Sequence, residues 1–174
     1  MEQNVKEAVA VSIRHFNLPH YESIPDVGLY LEQTVRYVME YLSPLPGISL
    51  TGSMVSNYVK RGLIESPERK LYRREHIAYL LFIAVAKSVL SLEDIQLLIR
   101  MQKRSYTTPV AYEYFCQELL NVLQFIFGVK ESVEHIGTTH SDEKTMLRNT
   151  IITIAHKIYL GKYFTAIRES MAEE

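Results

Sequence analysis

The chain has 174 residues, of which 47% are hydrophobic and 22% charged, with a net charge of −1; that suits one domain with a real core, or one with a closely packed extension. No apolar run approaches the ~18–20 residues of a membrane span, and "MEQNVKEAVAVSIRHF" lacks the charged-then-apolar build of a signal peptide, so a cytoplasmic location without a membrane partner is expected. The near-neutral balance excludes a protein that coats nucleic acid unselectively, and the single Cys116 excludes an internal disulfide and reads as a small buried hydrophobe.

Residues 1–25 read as an N-terminal helix and linker. Over 27–42 a helical period places Leu31, Val35, Val38 and Leu42 on one stripe. "SPLPGIS" ends it, because Pro44, Pro46 and Gly47 cannot continue a helix. Thr51 can cap a short second helix over 51–61, and Gly62 sits where a left-handed C-terminal cap belongs. Two apolar snippets, "LI" at 63–64 and "LY" at 71–72, flank "ESPERK" and predict two short strands around a polar turn, a small β-wing. The helical period returns over 74–89. Ser91 and Asp94 form a capping box that opens the helix "LEDIQLLIRMQ". Thr108 and Pro109 start a helix through Phe127 that is apolar almost all round and should form the buried centre of the protein. A connection, "GVKESVEHIGTTH", leads to a last long helix over 141–171. Its wide apolar face needs cover from the chain itself or from a partner subunit.

The sequence thus predicts an all-α protein with a small two-stranded β-wing, a winged helix-turn-helix over about 26–100 and a C-terminal helical bundle over about 101–174. Charge is concentrated in the first of these. Between Asn57 and Arg74 stand Lys60, Arg61, Arg69, Lys70, Arg73 and Arg74 against Glu65 and Glu68, a local +4 that leaves −5 for the remainder. In a winged helix-turn-helix the second helix enters the major groove and the wing reaches the flanking backbone. On the helix over 51–61, Val55, Val59 and Gly62 line the inner side with Tyr58 close beside it. Ser53, Ser56, Asn57 and Lys60 then face outward, with Arg61 at the edge. Asn bonds adenine bidentately, Ser reaches base or phosphate, and Lys and Arg reach guanine or phosphate. Arg69, Lys70, Arg73 and Arg74 are expected on phosphates, with four to six such contacts in all.

Over residues 51–98 the chain resembles the DNA-binding domain of MerR-type regulators. In that family a Tyr-containing recognition helix ends in Gly-Leu-Leu, a wing ends in Arg-x-Tyr, and a helix follows with Leu-Ala-x-Leu-x-Phe-Ile before a Ser-Leu-Glu-Glu-Ile helix. Here stand Tyr58, Gly62-Leu63-Ile64, Lys70 and Tyr72, Ile77-Ala78, Leu80, Phe82-Ile83 and Ser91-Leu92-Glu93-Asp94-Ile95. From "LPHYESIPDVGLYLEQTVRYVMEYLSPL" onward the chain also resembles a family of uncharacterised bacterial proteins described as MerR-like regulators. The resemblance implies a DNA-binding transcriptional regulator, with Tyr58 and Lys70 among its contacts. Ser56 and Asn57 depart from the family pattern, which has Arg and often an aromatic there.

A double-stranded DNA partner and a homodimer are therefore expected, since one recognition helix covers a half-site; the helix over 141–171 is the first choice of dimer surface. The alternative is a protein-interaction module that retains the winged-helix fold without binding DNA, its basic patch meeting an acidic partner. No Gly-rich phosphate loop, nucleophile elbow or paired-carboxylate motif appears, so neither enzyme activity nor a cofactor is expected. His135, His140 and His156 lack the convergent spacing of metal ligands. Tyr112, Tyr114, Phe115, Phe125 and Phe127 read as core, with the lining of a small-molecule effector pocket as the alternative.

Overall fold

The structure, a computed structural model, describes residues 2–137 and 141–172. Seven helices are present among them: α1 Glu2–Val11, α2 Leu31–Leu42, α3 Gly52–Lys60, α4 Arg74–Ala86, α5 Leu92–Ser105, α6 Thr108–Ile126 and α7 Asp142–Ala172, with a 3₁₀ turn at Tyr21–Ser23. The predicted connection after Phe127 includes residues 138–140, so its His140 lies outside the described residues.

Helix α4 is the centre. Nine of its thirteen residues, from Ile77 to Ala86, are buried, and they meet α2, α6 and α7. The sequence points to α6 instead. That helix is amphipathic in the structure: Tyr112, Phe115, Leu119, Val122 and Leu123 face inward while Val110 and Phe125 are exposed. Helix α7 lies along α6 and also meets α1, α4 and α5. Buried side chains from Val5 to Ile158 join in one apolar cluster, so the C-terminal helices form the bundle that the sequence predicts.

The β-wing is not present. Among the described residues there is no strand, only two isolated bridges, Leu29 with Tyr72 and Glu68 with Leu71. The winged fold expected from the sequence is overturned with it, and the reason is local. Leu63 and Ile64 are both buried, whereas successive residues of a surface ribbon point to opposite faces. They pack into the core as a turn, leaving no strand for 71–72 to join. Tyr72 pairs with Leu29 in its place, its N–H and carbonyl exchanging two hydrogen bonds of 2.8 Å with that residue. Between Glu68 and Leu71, Arg69 and Lys70 have φ of 51° and 67°. Positive φ at both central residues is the signature of a tight type I′ turn, closed here by Leu71 N–H donating to Glu68 O at 2.9 Å.

Two boundaries also shift. Gly28, at φ +83°, and the extended Tyr30 delay α2 to Leu31, four residues beyond the predicted start at Val27. At α6 the cap is Thr107, so Thr108 and Pro109 occupy the first helical positions. The connection from α2 to α3 spans residues 43–51, far longer than the ~3–4-residue turn of a compact helix-turn-helix. Leu45, Ile48 and Leu50 are buried and anchor it.

Candidate nucleic-acid interface

Helix α3 is built as its sequence requires. Thr51 Oγ1 accepts the Met54 N–H at 3.3 Å. At the other end Gly62, at φ +70°, donates to Val59 O at 3.0 Å, and Leu63 N–H donates to Tyr58 O at 2.9 Å. Those two bonds are a Schellman cap. Val55 and Tyr58 are buried, Met54 and Val59 half-buried, and Ser53, Ser56, Asn57 and Lys60 exposed. Four of the predicted contact residues therefore share the outer face. Tyr58 does not join them: it lies in the core, where burial raises its phenol pKa and its hydroxyl has no hydrogen-bond partner among the described residues.

Local bonds hold part of this face. Ser53 Oγ lies 3.0 Å from Thr51 Oγ1, and Ser56 Oγ donates to Gly52 O at 2.9 Å. Asn57 and Lys60 engage no other described side chain.

The six basic residues divide evenly. Arg61 donates to Glu93 at 2.9 Å and Arg73 to Glu68 at 3.3 Å, both on the surface. Arg74 is committed to the fold. Its guanidinium donates to Ile24 O at 2.9 Å, to the Glu22 carboxylate at 2.6 Å and to Glu22 O at 3.2 Å, and lies 5.6 Å from the centre of the Tyr21 ring. With a side chain 21% exposed, it fastens the segment before α2 to the start of α4. Lys60, Arg69 and Lys70 are exposed and unpaired among the described residues. Three free cations, rather than four to six, are thus available to a polyanion.

The turn and the helix meet at one corner. A Cβ placed on Gly52 would lie 3.3 Å from Leu31 Cδ2, so the first turns of α2 and α3 are adjacent. Lys70 lines an open groove of about 580 Å³ with Tyr30, Leu31 and Gln33 at that same end of α2. At the far end of α3, Gln96 Nε2 donates to Arg61 O at 2.9 Å. A second groove of about 330 Å³ there runs between residues 62–66 and α5 and is lined by Arg100 and Lys103. These two cations were missed in the sequence, although "IRMQKR" signalled a basic last turn for α5. Lys103 is 3.6 Å from Glu65, and Arg100 makes no ion pair among the described residues. The surface is thus a band from Lys70, along α3, to Arg100.

Among the described residues no group of three or more His, Cys, Asp or Glu could hold a metal ion. No described helix is long and apolar enough to cross a membrane.

Fold and surface together define an all-helical protein carrying a partly neutralised basic band. The chain belongs to the DUF1836 family, described as a domain of unknown function, which matches residues 19–115. That match takes in α2 to α5 and the whole candidate band. Nothing in the comparisons indicates a MerR-type or winged helix-turn-helix family. No curated protein matches the chain, and no solved structure does.

Proposed function

We propose that this protein is a DNA-binding transcriptional regulator that presents the outer face of α3 to duplex DNA. Ser53, Ser56, Asn57 and Lys60 face the bases and nearby phosphates, and Arg69 and Lys70 reach flanking phosphates from the tight turn. The observation that carries this reading is the separation of the basic residues. Arg61, Arg73 and Arg74 are bound by acidic residues of the chain, whereas Lys60 on α3 and Arg69 and Lys70 in the tight turn are exposed and unpaired among the described residues.

A homodimer fits the exposed half of α7. Leu160 and Phe164 are each 51% exposed and Met171 is 68% exposed. With Ile167 they recur at intervals of four, three and four residues, the spacing at which one helix packs against another. Phe164→Glu should leave a monomer by sedimentation; an unchanged oligomeric state would rule out this face.

Selection from a random duplex library, followed by fluorescence anisotropy at 50 and 200 mM salt, tests the function. Three phosphate contacts give a slope of about −2.7 per protomer in log–log form, so affinity should fall roughly 40-fold per protomer between these salts. Asn57→Ala should relax sequence preference, and Lys70→Ala should weaken binding to all sequences alike. If no sequence is enriched and salt has no effect, the function is that of a protein-interaction module. The carboxylates already seated on Arg61, Arg73 and Arg74 favour an acidic protein as its partner.

A further inference from the structure

The open groove of about 580 Å³ beside the tight turn joins two parts of the chain, residues 30–33 at the start of α2 and Pro67, Lys70 and Tyr72. Three donors stand on it. Lys70 is exposed and makes no ion pair among the described residues. Tyr30 is 59% exposed, and its hydroxyl engages no other described side chain. Gln33 is exposed too, and its Oε1 accepts the Tyr30 N–H at 2.9 Å. That bond leaves the Gln33 amide nitrogen with both its protons to give. One group opposes them: Glu32, an exposed carboxylate on the same groove with no ion pair among the described residues. The acid of the turn itself, Glu68, is held by Arg73 at 3.3 Å. The groove adjoins the start of α3, because Leu31 lies against Gly52.

We propose that this groove takes one phosphodiester of duplex DNA, next to the stretch that α3 meets. Lys70 supplies the charge, while Tyr30 OH and Gln33 Nε2 donate to the phosphate oxygens. Tyr and Gln side chains are ordinary phosphate partners beside Lys, and Leu31 and Pro67 give the adjoining sugar an apolar wall. Glu32 repels the phosphate, so the native groove holds it less tightly than its donors allow. The site deepens the function proposed above and rests on it. Its neutral donors leave a mark that cations do not. They add affinity without displacing counterions, so removing one weakens binding and leaves the salt slope as it was.

The test uses the full chain and the duplex enriched by selection, with affinity followed by fluorescence anisotropy at several salt concentrations. Tyr30→Phe keeps the ring and the backbone. It should weaken binding roughly 5-fold with the slope held at about −2.7 per protomer, whereas Lys70→Ala should bring the slope to about −1.8. Gln33→Glu keeps an oxygen for the Tyr30 N–H and turns the amide donor into an acceptor, so it should weaken binding more than Tyr30→Phe does. Glu32→Gln should tighten binding roughly 2–5-fold, a gain that damage to the fold cannot produce. Duplexes carrying one neutral methylphosphonate, moved along the flanks, then locate the phosphate. The position that costs the wild type most should cost both Tyr30→Phe and Lys70→Ala less. If the wild type binds its enriched sequence while Tyr30→Phe and Glu32→Gln bind as it does, the groove is overturned and the DNA-binding function stands. If Tyr30→Phe and Lys70→Ala respond at different positions, the shared phosphate is overturned. If the wild type enriches no sequence and ignores salt, the DNA-binding function falls and the groove falls with it.

Discussion

Glu118 is fully buried on α6, with Arg148 Nε of α7 3.1 Å from its Oε1. Neither carboxylate oxygen receives a donor in hydrogen-bond geometry among the described residues, so the contact is an ion pair alone. The Arg148 guanidinium continues to His135 Nδ1 at 3.3 Å. Burial raises the Glu118 pKa above its ordinary 4.5, against the opposing pull of Arg148 and His135. A raised folded-state pKa means that the folded chain holds the proton more tightly. The stability this contributes is therefore complete below 4.5 and is lost as pH rises. Arg148→Ala removes the counter-charge and enlarges the effect. The carboxyl escapes by taking a proton, which caps the penalty at the cost of neutralising a group of pKa 4.5. That cap is about 3.4 kcal/mol at pH 7, about 2 at pH 6 and about 0.8 at pH 5. Urea unfolding of the wild type, Arg148→Ala, Glu118→Gln and the double variant at these three pH values measures it. The loss in Arg148→Ala should shrink toward pH 5, and the pH-dependent part should vanish in the double variant. A loss of equal size at all three values would refute the reasoning, since it would mean that Arg148 stabilises by packing and not by charge.

Gly62→Ala should destabilise by about 1 kcal/mol in urea unfolding. The new Cβ would meet only Gln96 Nε2, at 3.7 Å, so the cost lies in the φ of +70° and not in a clash. Lys70→Asn keeps the left-handed turn residue and eases its φ of 67°; it should stabilise by about 0.5 kcal/mol while lowering the salt slope of DNA binding by about 0.9 per protomer. Arg74→Ala removes three hydrogen bonds, one of them to a carboxylate, and should cost about 2–3 kcal/mol by thermal or urea unfolding. Arg74→Lys should restore only part of this, because an ammonium cannot reproduce the planar fork.

The signals that were legible in the sequence are those written within one helical turn. Thr51 and Gly62 bracket α3, Ser91 caps α5 by accepting the Asp94 N–H at 3.1 Å, and Pro44, Pro46 and Gly47 end α2 where the period stops. The errors are long-range. Nothing near Tyr72 in sequence indicates that its backbone partner is Leu29, so the apolar pair at 63–64 was the natural but wrong choice for a strand. Arg74 and Arg61 read as DNA contacts because their carboxylates, Glu22 and Glu93, stand 52 and 32 residues away. Tyr58 illustrates the limit of a resemblance: the helical period sets it close beside the inner side, and only the likeness to MerR-type regulators makes it a DNA contact. Its neighbours at 56 and 57 are exposed while its own ring points inward, as the period has it.

The ion pairs on the band do not all withhold their arginines equally. Arg61 and Arg73 are 46% and 56% exposed, and their partners Glu93 and Glu68 more so; pairs of this kind contribute little and open readily toward a stronger anion. Arg74 differs, because its partners include two backbone carbonyls that cannot move away without unfolding the segment before α2. If DNA binds α3 as proposed, its phosphates have three free cations to meet and can recruit two more by displacing Glu93 and Glu68. The salt slope separates the cases, at about −2.7 per protomer if the pairs stay closed and about −4.5 if both open. The sharper slope would make the acidic residues of this surface part of its recognition: in place they hold the arginines from weak anions, and only a polyanion draws them out.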